Sequence, residues 1–138
     1  NAVHQIRAHV LDMLAATTRL LAALTAPTER TPAGEAYVRA RVRSTLEMHA
    51  EDLREHLRVL GSGALSQAAT QTFERRIPPA ATIGDLFSRL SLVNAAALML
   101  ETNARAIGFS STAALAARHR EEIETLLAQL RELLPKAA

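Results

Sequence analysis

Cysteine and tryptophan are both absent from these 138 residues, and the aromatic complement is one tyrosine and three phenylalanines. Without thiols there is no disulfide, no thiolate metal site and no cysteine nucleophile. So few rings leave little for stacking on bases or sugars. No Gly-rich phosphate loop, no G-x-S-x-G elbow and no H-E-x-x-H stretch occurs, which removes the usual signatures of nucleotide enzymes, serine hydrolases and zincins. The longest apolar runs, such as residues 95–100, stop well short of the roughly 18 residues that span a bilayer, and no charged-apolar-small leader opens the chain. A soluble, cytoplasmic protein without a membrane partner is expected. The opening Asn1-Ala2, with no initiator Met, reads as the scar of a cleaved tag on a chain cut from a longer protein.

Charge of one sign is also lacking: 16 basic residues stand against 14 acidic ones, a net of +2. Arg39, Arg41, Arg43, Glu47, Glu51, Arg54 and Glu55 mix both signs along one segment, which reads as a solvated face with i,i+4 pairs. A nucleic-acid stripe would be purer, so nucleic acid is not expected as a partner. What the chain does have is alanine and leucine, a composition that favours helix.

The periodicity predicts four helices in one all-α domain over residues 3–138. Helix 1, about 3–26, carries Ile6, Val10, Met13, Leu14, Thr17, Leu21 and Leu24 on one face and stops at Pro27. Thr31-Pro32 reads as an N-cap with a first-turn proline for helix 2, about 32–60, which carries Val38, Val42, Leu46, His49, Leu53, Leu57 and Leu60 before Gly61-Ser62-Gly63. Thr82 with Asp85 reads as the start of helix 3, about 83–107. Ser110 or Ser111 is expected to cap helix 4, about 111–134, which ends at Pro135. Met13, Met48 and Met99 are spaced as core filler. Residues 61–82 form a crossover in which Leu65, Ala68, Ala69, Thr72 and Phe73 have the spacing of one short helix. Short, long, short connections give two antiparallel hairpins joined by a long crossover, the pattern of the ferritin-like four-helix bundle.

An internal repeat carries the chemistry. His49-Ala50-Glu51-Asp52-Leu53 returns about seventy positions later as His119-Arg120-Glu121-Glu122-Ile123, so that a His and the acid three residues on share one stripe with the leucines. Together with His56, these ligand-type side chains fall where a helical bundle builds its core. The same spacing recurs at His9 and Asp12, on the edge opposite Leu14 and Leu21, where a solvated pair is expected. Asn94 and Glu101 fall at the margin of helix 3, where an exposed flank is the common outcome.

Leu11-Asp12-Met13-Leu14 through Leu24, the stretch His49 to His56, and the segment from Gly108 to Glu122 resemble the small bacterial ferritin-like proteins of the YciE/YciF stress-induced type. That resemblance implies a four-helix bundle with a di-metal (iron-type) centre to which each helix gives a carboxylate and two helices add a His. Carried over position by position, helices 2 and 4 keep Asp52 and Glu122, whereas Thr17 stands at the helix 1 position, and Val93 and Asn94 at the helix 3 position, with Glu101 two turns on.

Two readings follow. In the first, His49, Asp52, His56, Glu101, His119 and Glu122 hold a residual divalent metal, iron or another, in a bundle with little or no ferroxidase activity and a stress-related role. In the second, each His is hydrogen-bonded by the acid one turn along its own helix, and the chain is a metal-free helical module that dimerises or docks onto the rest of a longer protein. No catalytic residue is assigned in either.

Overall fold

The computed structural model describes residues 1–61 and 77–137, with side chains described as far as Leu134. The short helix expected over Leu65 to Phe73 lies outside the described residues. Four helices are seen, and no strand among the described residues: α1 over Ala2–Ala23, α2 over Ala33–Val59, α3 over Ile83–Ala106 and α4 over Ser110–Ala137.

Each boundary has a local cause. Asn1 caps α1 by accepting a hydrogen bond from the His4 amide on its side-chain oxygen (2.9 Å), so the first residue is part of the helix start. α1 ends three residues before the expected boundary at 26, with Leu24 already extended. Thr31 does not cap α2. Its hydroxyl accepts from the Thr28 amide at 3.0 Å, closing the preceding turn, and Pro32 occupies the cap position without a side-chain bond. Thr82 does cap α3, accepting from the Asp85 amide at 3.0 Å, while the Asp85 carboxylate turns forward to Arg89. Gly61 and Gly108 end α2 and α3 with φ of 84° and 81°, a left-handed conformation that glycine adopts without a Cβ penalty. α4 starts at Ser110 itself and runs through Pro135 to Ala137.

Arginines fix the helix directions. Arg7, near the start of α1, donates through Nε and Nη2 to the Leu60 carbonyl at 2.9 and 2.6 Å, so α1 begins where α2 ends. At the other end of the bundle the Ala80 amide donates to the Ala23 carbonyl at 2.8 Å. There Arg39 donates to the carbonyls of Ala80 and Ala81 at 3.1 and 2.8 Å, placing the start of α3 beside the end of α1. Hence α2 ends at one end of the bundle and α3 begins at the other, and each helix runs antiparallel to both its neighbours. Two antiparallel hairpins, α1–α2 and α3–α4, are joined by a long crossover, with α1 against α3 and α2 against α4. This is the ferritin-like order of connections. Arg39, expected on a solvated face, is 6% exposed, because its guanidinium satisfies backbone carbonyls of the incoming chain that would otherwise be left bare.

The core consists of two aliphatic clusters. One, around the α1–α2 turn, contains Leu20, Val42, Leu46, Leu86, Leu90, Val93, Ile123 and Leu130. The other contains Ile6, Val10, Met13, Leu14, Leu53, Leu57, Ala97, Leu100 and Ala116. Leu53, Leu57, Ile123 and Leu130, the carriers of the repeated stripe, are fully buried, and Leu127 is buried with them. Met13 fills the core as expected, but Met48 and Met99 are 62% and 60% exposed: each falls on the outward side of its helix.

Candidate functional site

The two clusters meet at one level. On α2 the break falls between Leu46 and Ala50, on α4 between Ala116 and Ile123, on α1 between Leu14 and Leu20, and on α3 between Val93 and Ala97. The buried residues inside the first three intervals are His49, His119 and Thr17. A polar layer therefore separates two oily halves.

In that layer the imidazoles of His49 and His119 lie face to face, ring centroids 3.8 Å apart and planes within 5° of parallel. His49 donates from Nε2 to Glu122 Oε1 at 2.7 Å, and His119 from Nε2 to Asp52 Oδ2 at 3.2 Å. The expected bond from each His to the acid one turn along its own helix is not what forms. The pairs are crossed, each His reaching the acid of the facing helix, because the inward stripe aims both rings across the seam. The carboxylates stand at its margin, half-exposed, and Arg118 reaches Asp52 at 3.3 Å.

Carboxylates only accept, so Nε2 carries the proton in each neutral ring and the bare lone pair is on Nδ1. Both Nδ1 atoms are buried without a partner. Burial pushes both histidines toward the neutral form. His119 is lowered to about 4, with the adjacent His49 adding to the effect of burial and Asp52 opposing it. His49 is lowered by burial against the pull of Glu122 and Asp52.

The remaining candidates are committed elsewhere. His56 is bonded through Nε2 to the hydroxyl of fully buried Thr112 at 2.6 Å, and burial lowers its pKa. Glu101, expected on an exposed flank, is 4% exposed. Arg120 of α4 donates to it at 2.7 Å and Arg105 at 2.8 Å; Arg120, hydrogen-bonded to the carboxyl, holds it below the usual carboxylate range despite burial. Arg120 is the residue that the sequence reading passed over. Its position beside His119 in the repeat placed it on the same helix face as Glu124, to which it also donates (3.2 Å), but nothing in the spacing revealed Glu101 across the seam. Thr17, at the helix 1 carboxylate position, satisfies itself on the Met13 carbonyl at 2.9 Å. Asn94, at the helix 3 position, is half-buried, with an unpartnered Oδ1. His9 is half-buried and Asp12 exposed.

Among the described residues no three His, Asp or Glu side chains converge as a metal shell. Glu122, His49, His119 and Asp52 form a chain of contacts, and as arranged they do not fit a metal ion. Compared with protein-family models, with curated proteins and with solved structures, the chain finds no match.

Outside the site, α3 is the unusual element. By length and composition it is apolar enough to cross a membrane, although Leu86, Leu90, Val93, Ala97 and Leu100 are spent on the core. Its outer face keeps Leu92, Leu98 and Met99 at 71%, 51% and 60% exposure, and no charged residue occurs between Arg89 and Glu101.

Proposed function

We propose that this chain is a metal-free helical interaction module that associates with a second copy of itself through the outer face of α3. The observation that carries the reading is that uncharged, outward apolar strip, since exposed apolar surface of this kind marks association. Leu92 also borders a mostly apolar cleft of about 320 Å³ lined by Ala16, Leu20, Ile77, Pro78 and Val93, with Arg19 and Arg89 also bordering it. A second copy suits the strip because it is self-complementary. With a two-fold axis at small Ala95, an antiparallel partner sets Leu92 against Leu98 and Met99 against Ser91, and brings no charge to the centre.

Sedimentation velocity over a range of concentrations tests this. A dimer that Leu92→Glu or Met99→Glu converts to monomer, with unchanged helicity, is the expected result. A monomer at all concentrations would overturn it. Flotation with lipid vesicles that either Glu substitution abolishes would assign the face to a membrane instead.

A further inference from the structure

We infer that the His49–His119 stack is a metal-excluding cross-link, joining α2 to α4 through proton-mediated bonds at the level where His and carboxylate spacing would otherwise collect an ion. The inference deepens the metal-free reading above and rests on it for that point alone.

A ring nitrogen binds a metal along its lone pair, in the plane of the ring, at about 2.0–2.1 Å for zinc. One ion shared by two imidazoles must therefore lie in both ring planes. Here the planes are parallel within 5° and the centroids 3.8 Å apart, so the two planes have no common point within reach. Turning either ring to create one breaks the stack and also pulls Nε2 from Glu122 or Asp52.

The unpartnered Nδ1 atoms are the strongest argument for an ion, and they fail on supply of ligands. An ion on a single Nδ1 needs further donors, and no third His, Asp or Glu joins the group among the described residues. Glu101, a further buried carboxylate, is held by two guanidiniums, and His56 is closed on Thr112. Apart from the two Nδ1 atoms and the Oδ1 of Asn94, the candidate ligands are thus already engaged by protein groups. A cation entering the layer has to displace at least one charge-assisted bond before it gains its second ligand.

The inference is tested on the whole chain with cobalt(II) as the probe, since protein-bound cobalt in a distorted site shows visible d–d bands that the hydrated ion nearly lacks. The expected outcome is no such band at equimolar or tenfold cobalt, together with a melting temperature unmoved by zinc or by chelator. A saturable band that His119→Ala or His49→Gln removes would overturn it, as would a zinc-dependent rise in melting temperature lost in either variant. If both variants fail to fold, the wild-type titration still decides. The outcome is independent of self-association: a monomer without a cobalt spectrum sinks the dimer and keeps the cross-link, and a dimer with one does the reverse.

Discussion

Above and below its middle the bundle is filled by aliphatic side chains; at the middle, on the same inward stripes, two helices offer imidazoles. Leu46 and Leu53 flank His49 on α2, as Ala116 and Ile123 flank His119 on α4. The difference is one of tolerance. An aliphatic cluster asks for volume, and another apolar residue of similar size nearly serves. The layer asks for two rings in one orientation, two acids on opposite helices and protons on particular nitrogens, so it specifies the register of α2 against α4 while contributing little net free energy itself.

Four measurements break or sharpen that contrast. The largest effect belongs to the clusters: Leu53→Ala and Ile123→Ala, one on each side of the layer, should each lose about 2–5 kcal/mol in urea unfolding. Unmoved midpoints would mean that the clusters are not the main source of stability. Next comes acid. An unfolded His titrates near 6.5, and His119 in the fold near 4, so between those values the unfolded chain binds a proton that the folded one refuses. Stability should therefore fall as pH drops from about 6.5 to about 4, by up to roughly 3 kcal/mol. His119→Gln should flatten that slope, and a slope unchanged in the variant would remove His119 as its source. Third, Thr17→Val keeps the volume in the layer while removing a hydroxyl bonded within its own helix, and thermal unfolding should register a cost of about 1 kcal/mol or less. Smallest, Met48→Gln on the outward side of α2 should stay within about 0.5 kcal/mol; a larger loss would show that this surface is covered in solution.

The fold was readable because it depends on period and punctuation. The stripes through Leu46, Leu53 and Leu57 and through Leu86, Leu90 and Val93 show in the sequence as 3.6-residue spacing, and Gly61 and Gly108 show as stops. Local rivalry was less readable. Thr31 had two amides to choose between and took the turn. Arg39 looked like any surface arginine, because the carbonyls it caps lie about forty residues away. At the site, the repeat set His49, Asp52, His119 and Glu122 on facing stripes, and these four side chains do meet. It did not give the partner of each ring. Own-helix and cross-seam bonding use identical spacing, and only the distance between α2 and α4 separates them. Glu101 shows the same limit, because its burial depends on Arg120, a residue of another helix.

The crossed pairs have a wider consequence. A His of one element bonded to the acid of the other, and the reverse, is the exchange that a two-fold axis imposes when identical surfaces meet, residue i on j and j on i. Here α2 and α4 belong to one chain, yet they exchange in that manner. Two hairpins, each presenting the same His-x-x-acid stripe, meet as subunits of a dimer would. The molecule is in effect an isologous assembly whose halves share a single backbone. A chain severed inside the crossover should therefore leave two pieces that know how to find each other.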